Sequence, residues 1–221
     1  MISALTFTAS ARRLGMAAAV GTALLIAVYA ATLVTGLRSL QSPQQPIGDP
    51  WFSILEILII LLTPLMVVLM ATVHAWAPAE VKVFSLTALV FMALLAGLTC
   101  SLHFAILTLS RNPSFSGLPW MPLFLSFRWP SVSYSLDILA WDGFFALSAM
   151  FAAPVFSGSR LATAIRVLLV ISGALALAGL SGVILGDMQL RNVGILGYVG
   201  VFPVVALLLA VLFHRSPPHE H

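Results

Sequence analysis

Charged side chains are scarce in this chain. They make up 8% of its 221 residues, while hydrophobic residues make up 61%. Soluble domains usually contain about 25% charged and about 45–50% apolar residues, so a soluble fold is excluded. No hydrophilic stretch is long enough to fold by itself, and a chain of this length normally forms one domain. We therefore predict a single transmembrane domain covering residues 1–221.

The chain has a single cysteine, and it lacks charge clusters and cofactor motifs. Cys100 is the only cysteine, which excludes an intrachain disulfide and a thiolate metal cage. The apolar stretches contain no His-x-x-x-His, Glu-x-x-His or Cys-x-x-Cys motif, and we predict no cofactor. The formal charge is +3, but Arg12-Arg13 is the only adjacent basic pair. This scatter does not indicate a nucleic-acid partner; the partner we expect is the lipid bilayer.

Six apolar stretches account for most of the chain. Each is close to the ~20 residues that a helix needs to cross the hydrocarbon core. Backbone groups in lipid must be hydrogen-bonded within the segment, which favours helices. We predict an all-α integral membrane protein, a six-helix transmembrane bundle, followed by a short flexible tail at 214–221. The predicted spans are about 14–35, 52–75, 84–109, 134–156, 161–185 and 193–213.

Six spans place both termini on one side of the membrane, and basic residues favour the cytoplasmic side. Six bases lie on the side of the termini: Arg12, Arg13, Lys82, Arg160, Arg166 and Arg215. Four lie on the other side: Arg38, Arg111, Arg128 and Arg191. We predict cytoplasmic N- and C-termini in a membrane of the bacterial inner (plasma) type.

The first span has an alternative interpretation as a cleaved signal peptide. Arg12-Arg13 precede an apolar run, and Val28-Tyr29-Ala30 offers small residues before a cleavage point. The apolar run continues to Val34, which favours an uncleaved helix.

The segment between spans three and four is not an ordinary hydrophilic loop. It interleaves four prolines with nine large apolar side chains between residues 111 and 133. Trp120, Trp129 and Arg128 suit the headgroup region, where amphipathic rings and long cationic side chains settle. We predict an outer loop at the membrane interface, acting either as an anchor or as a lid over a lipid-facing cavity.

Small residues recur every four positions along span five. Such a stripe lets helices approach closely, and we expect spans five and six to form a tight antiparallel hairpin. Whether the stripe also mediates a homodimer is left open. Its members are Ala174, Ala178, Gly182 and Gly186.

Three ionisable residues share one depth in the predicted bundle. At about 1.5 Å per residue, Glu56, His103 and Asp142 lie roughly 8–12 Å below the outer ends of their helices. Tyr29 and Tyr198 reach a similar depth. Asp137 lies higher, near the surface, where we expect it to be solvated or paired with Arg111, Arg128 or Arg191. We interpret Tyr29, Tyr198 and Asp137 as candidate cavity lining.

Embedded acids are the strongest indication of a site. A carboxylate well inside the hydrocarbon costs about 2.5–3.5 kcal/mol, so it usually faces the bundle interior and marks a pathway or site. Asp142 is the leading candidate. With Glu56 and His103 it forms a proton relay, a general acid and base pair, or a buried ion pair. A metal held by the same three residues is a weak candidate, and we expect none.

Three functions fit this pattern. The first is a non-catalytic membrane subunit or assembly protein whose polar layer specifies helix packing. We favour it over an enzyme because it accounts for every feature of the sequence. The second is a small transporter or proton-coupled carrier using Glu56, His103 and Asp142. The third is a membrane enzyme acting on a lipophilic, lipid or isoprenoid-like ligand, which requires a cavity open to lipid and lined by those residues.

Overall fold

The structure is a computed structural model that describes residues 7–42 and 45–217. Within those ranges the chain is helical and contains no strand. Six helices are long and apolar enough to cross a membrane, which confirms the predicted bundle. They are α1 (Ala9–Arg38), α2 (Trp51–Trp76), α3 (Ala79–Leu109), α4 (Val132–Val155), α5 (Arg160–Leu185) and α6 (Met188–Arg215).

The largest differences from the predicted spans lie at three helix starts: α1, α3 and α6 each begin five residues early. Thr8 caps α1 by accepting a hydrogen bond from the Ala11 amide at 3.1 Å, so this helix begins at Ala9 rather than near residue 14. Asp187 caps α6 by accepting from the Gln189 amide at 2.9 Å. At its other end α6 runs through His214 to Arg215, so the predicted tail is helical there. Residues 218–221 lie outside the described part of the chain.

The six helices form a closed ring. Each packs against its neighbours in sequence, and α6 packs against α1 to complete the circuit. Large apolar side chains fill the interior, while many others face outward, where only lipid can solvate them. The fully buried ones include Met66, Leu69, Met92, Phe145, Leu169, Phe202 and Phe213. The outward ones include Leu24, Leu61, Phe104 and Leu207.

Pro64 interrupts the hydrogen bonding of α2, and α3 compensates. A proline has no amide hydrogen, so the carbonyl of Ile60, four residues earlier, loses its helical donor. The Cys100 thiol of α3 points at that carbonyl, with a sulfur to oxygen distance of 3.6 Å. The same sulfur lies 3.2 Å from the Thr63 hydroxyl. The only cysteine therefore joins α2 to α3 at mid-bundle.

The α5–α6 hairpin packs through different small residues from those predicted. Ala174 and Ala178 are exposed, and Gly186 ends its helix with a φ of 70°. Only Gly182 of the predicted stripe is in contact, against the backbone of Arg191. In an α-helix a four-residue step rotates the face by about 40°, so a strict four-residue stripe turns away from its partner. The residues that do approach neighbouring helices are Gly173, Ala176, Gly179 and Gly182.

The predicted interfacial loop lies between α3 and α4, at the end of the bundle away from the termini, which we call the distal end. It contains two four-residue helices, Pro113–Ser116 and Met121–Phe124. Hydroxyl groups at the start of α4 hold it, because Ser133 donates to the Phe124 carbonyl and Ser131 to the Ser126 carbonyl, both at 2.5 Å. The rings of Trp120 and Trp129 are about two-fifths exposed, as expected for side chains in the headgroup region.

Candidate functional site

Five ionisable side chains meet inside the distal half of the ring. We call them the polar cluster, and all are buried, with between 0 and 8% of their surface exposed. They come from α2, α3, α4 and α6, so one group of side chains connects four helices. The members are Glu56, His103, Asp137, Asp142 and Arg191.

His103 lies between two carboxylates. Its Nδ1 is 2.8 Å from Glu56 Oε2, a hydrogen-bond distance. Its Nε2 is 3.6 Å from Asp137 Oδ1, too long for a good hydrogen bond, and it has no other hydrogen-bond partner in the structure. The imidazole therefore links α2 to α4 while belonging to α3.

Arg191 joins the two aspartates of α4. One terminal nitrogen of its guanidinium lies 2.9 Å from Asp137 Oδ2, and Nε lies 3.2 Å from Asp142 Oδ2. The other terminal nitrogen donates to the Tyr134 hydroxyl at 3.1 Å. Because a guanidinium presents several donors in a fixed plane, it can satisfy several acceptors at once.

Asp142 occupies a cradle made by two glycines. Its side chain is completely buried, and its Oδ1 has no hydrogen-bond partner among the described residues. A Cβ atom on Gly179 would lie 3.1 Å from that oxygen, and one on Gly194 would overlap it. At Gly194 the carboxyl group takes the space that a methyl group would fill, and at Gly179 a methyl group would fit only tightly.

A π-helical turn brings Asp137 and Asp142 to the same guanidinium. In a regular α-helix, residues five apart point about 140° away from each other. In α4 the segment Leu139–Phe145 is π-helical, and its wider turn places both carboxylates on one side. Such turns are frequent at functional sites.

A second π-helical turn lies across the ring, in α6. It covers Leu196–Val201 and carries Tyr198, whose ring packs on Trp141 at 5.0 Å and on Phe145 at 5.8 Å between centroids. These three aromatic side chains are buried. They separate the polar cluster from the apolar middle of the bundle.

The structure brings together most of the predicted site residues but pairs them differently. Glu56 contacts His103 as a neighbour, whereas the partner of Asp142 is Arg191. Asp137, expected near the surface, is 8% exposed and bridges the two halves of the cluster. That expectation was wrong because Asp137 lies on the inner face of α4, against His103 and Arg191.

The two predicted tyrosines lie beside the cluster. Tyr198 is buried, and Tyr29 of α1 is partly buried against the core. Both are close enough to Asp137 and Arg191 to interact with them electrostatically.

Arg191 was predicted only as one of three surface partners for Asp137, and not as part of a buried cluster. It was counted as a loop residue because the turn before span six was placed at 187–192. Asp187 was the available signal, because aspartate is a common N-cap residue. With Asp187 as the cap, Arg191 is the fourth residue of α6 and belongs to the helix, not to the loop.

No cluster residue lines either of the two surface grooves found near the distal end. One groove, of about 400 Å³, lies between the loop and the start of α4; the other, of about 450 Å³, lies beside the α1–α2 connection. The first is lined by Leu123, Pro130, Ser131, Val132, Ser135 and Leu136. In the described part of the chain, no three His, Cys, Asp or Glu side chains are arranged to hold a metal ion.

The distal loop covers His103. The Phe127 ring lies 4.9 Å from the imidazole, centroid to centroid, with 31° between their planes. The side chain of Phe127 is half-buried. Through this contact the interfacial loop touches the polar cluster directly.

A second ion pair at the distal end is exposed. Arg111 lies 2.6 Å from Asp49, and their side chains are 40% and 50% exposed. The hydrogen bond from the Ser53 hydroxyl, aided by Arg111, lowers the pKa of the Asp49 carboxyl below its ordinary value. The ionised Asp49 carboxylate therefore contributes stability at any pH above the ordinary aspartate pKa. This contribution is lost as the pH falls through the lowered pKa of Asp49. Water screens this pair, so it serves as a comparison for the buried one.

Comparison with known proteins gives no relative: no family model, no curated protein and no solved structure matches this chain.

Proposed function

We propose that this chain is a non-catalytic integral membrane protein, a subunit or interaction partner in a membrane complex, and that the polar cluster fixes how its helices pack. One observation carries the proposal. All five ionisable side chains of the cluster are buried and face one another. A reactive site would instead present at least one of them to a cavity that a substrate can enter.

The energetics of membrane helices favour this role. Lipid supplies no hydrophobic force between helices, so packing and interhelical hydrogen bonds hold a bundle together. Each such bond contributes about 0.6–2 kcal/mol. A wrong rotation of α4 or α6 would leave a buried charge without a partner, at a cost of several kcal/mol. The cluster thus selects one arrangement of α2, α3, α4 and α6.

The lipid-enzyme hypothesis receives less support. It requires a cavity open to lipid and lined by Glu56, His103 and Asp142. The groove under the distal loop is lined by other residues, and Phe127 closes the face of His103 that lies towards the loop.

A proton-coupled carrier is the second candidate, and the charge balance of the cluster favours it. Three carboxyl groups face one permanent cation, Arg191, and one histidine. A buried site with surplus acid can exchange protons during transport.

The position of Arg191 also supports the predicted orientation. A buried arginine does not act as a loop charge, which leaves three basic residues at the distal end against six at the end of the termini. Because basic loops favour the cytoplasm, we propose cytoplasmic termini and an inner (plasma) membrane location.

Native mass spectrometry of the protein released from lipid nanodiscs tests the proposed function. We expect no tightly held metal ion or small ligand, and we expect a second protein chain, either another protein or a second copy, to be retained at fixed stoichiometry. A stoichiometric small ligand that is lost in Asp142→Asn but kept in Asp49→Asn would contradict the proposal. The second variant is a matched control because Asp49 is exposed.

Vesicles test the carrier alternative. The purified chain, reconstituted with a trapped pH-sensitive dye, is expected to give no proton flux above that of empty vesicles. A flux abolished by Asp142→Asn and retained by Asp49→Asn would replace the proposed function with the carrier.

A further inference from the structure

We propose that the polar cluster is a proton-binding site filled from the distal side, and that a proton on His103 holds the distal loop in place through Phe127. The inference rests on the proposed function, since it assigns a regulation to the same cluster. It goes beyond that function by naming the ligand, the route and the element that responds.

The charge balance requires bound protons. Arg191 is permanently charged, while Glu56, His103, Asp137 and Asp142 can each gain or lose a proton. With every carboxyl ionised and the imidazole neutral, the cluster carries two excess negative charges. Burying a net charge in a medium of low polarity is costly. The electroneutral cluster holds two exchangeable protons.

The geometry at His103 indicates that one of the two protons lies on its imidazole ring. Each ring nitrogen faces a carboxylate oxygen, at 2.8 Å from Glu56 and 3.6 Å from Asp137. A neutral imidazole has one N–H and one lone pair, so one nitrogen would turn a lone pair towards a negative oxygen. The imidazolium form carries an N–H on each nitrogen and a positive charge between the two acids, so it suits both neighbours.

The geometry at Asp142 indicates that the second proton lies on its carboxyl group. Its Oδ1 has no hydrogen-bond donor and is enclosed by Gly179 and Gly194. A carboxylate oxygen is expensive to bury without donors, whereas a neutral carboxyl group is less so. Asp142 still accepts from Arg191 through Oδ2.

Apart from His103 itself, the charged and titratable groups in and around the polar cluster come from α1, α2, α4 and α6. Two acids, Glu56 and Asp137, lie beside the His103 ring. The remaining polar groups affect His103 through these two acids. The full set is Glu56 of α2, Asp137 and Asp142 of α4, Arg191 of α6, Tyr134 at the start of α4, Tyr29 of α1 and Tyr198 of α6.

The distal surface is the short route for the proton. His103 lies six residues before the end of α3 at Leu109, which is about 9 Å along the helix, and about 36 Å from its start at Ala79. The long route passes fully buried Leu95 and Met92. The distal route passes Phe127, whose side chain is half-buried.

Through the contact with Phe127, the proton on His103 affects how firmly the distal loop is held. An aromatic face attracts a cation within about 6 Å of its centroid, and the imidazole lies at 4.9 Å. Loss of the proton removes this attraction and leaves Glu56 and Asp137 facing a neutral ring. We expect the loop to detach more often from the cluster when His103 is deprotonated.

Nuclear magnetic resonance of the ¹⁵N-histidine-labelled protein in nanodiscs tests the proton site without altering it. The His103 ring signals, assigned by their loss in His103→Gln, should titrate between about pH 5 and about pH 10, a window that covers the usual spread of histidine pKa values in proteins. Signals fixed in one protonation state over that whole window would overturn the proton site.

Hydrogen exchange of the segment 118–131 tests the coupling. After correction for intrinsic rates, its protection should fall about tenfold when His103 deprotonates, a factor in the range of a cation–π contact. The α1–α2 connection should show no such step. In Phe127→Leu, which leaves the cluster intact, the step should disappear while His103 still titrates.

The outcomes separate the two proposals. A step that persists in Phe127→Leu, or no step while His103 titrates, would overturn the coupling. Neither measurement depends on a retained ligand or partner. If the titration or exchange measurement fails, the result of native mass spectrometry still stands. If native mass spectrometry finds a ligand, His103 can still titrate.

Discussion

Replacing Arg191 with methionine is expected to lower the free energy of unfolding by about 3 kcal/mol. Removing one partner of a buried ion pair typically costs about 3–5 kcal/mol, and a carboxylate placed inside the membrane costs about 2.5–3.5 kcal/mol. In this variant Asp137 loses its cation, and Asp142 loses the only donor to its Oδ2 among the described residues. Methionine keeps most of the volume and flexibility of the arginine stem, so packing is changed as little as the chain allows.

Unfolding in mixed detergent micelles measures this effect, and Arg111→Met is the matched control. That arginine also pairs with an aspartate, at 2.6 Å, but at the exposed distal surface. Its loss should leave the unfolding transition nearly unchanged, because exposed pairs are screened by water. Adding Asp137→Asn to Arg191→Met should recover part of the loss, because it removes the carboxylate that lies 2.9 Å from the arginine. Equal effects of the two arginine variants would contradict the buried pairing.

The variant Gly194→Ala is expected to destabilise the protein by about 1–3 kcal/mol, the usual cost of extra volume in a packed interior. A Cβ at this position overlaps Asp142 Oδ1 and lies 3.4 Å from the Ala176 carbonyl oxygen. To make room, Asp142 must move away from Arg191 or α6 must move away from α5. Both movements break contacts of the polar cluster.

Gly200→Ala provides the control for that variant. It lies on the same helix, is exposed, and has no atom within 4 Å of a new Cβ. Alanine is favoured over glycine in helices by about 0.5–1 kcal/mol, so Gly200→Ala should be neutral or stabilising. Thermal unfolding in nanodiscs compares the two. A Gly194→Ala protein as stable as Gly200→Ala would show that the cradle around Asp142 is not tight.

The bundle and the depth of its polar layer could be predicted because they depend on regular quantities. Helix length follows from bilayer thickness, and depth follows from the rise per residue. Counting from approximate helix ends was sufficient to place Glu56 and His103 at one level. The interfacial loop was also predictable, since its tryptophans and prolines exclude both a span and a hydrophilic connection.

The pairing inside the cluster could not be predicted because it depends on local departures from regular helices. The π-helical turn that aligns Asp137 with Asp142 has no clear sequence signal. The role of Arg191 depends on a helix start that lies five residues before the predicted one. The four-residue stripe at Ala174 and Ala178 was misleading for a related reason, since small side chains alone do not show which face turns inward.

A double-mutant cycle between Glu56 and Arg191 tests the central claim most directly, namely that the five buried side chains act as one unit. These two residues are connected through His103 and Asp137. We expect Glu56→Gln to cost less, or to stabilise, in the Arg191→Met protein, because it removes one surplus negative charge. The coupling energy should exceed about 0.5 kcal/mol. Effects that add within about 0.3 kcal/mol would show two independent pairs and would contradict the account.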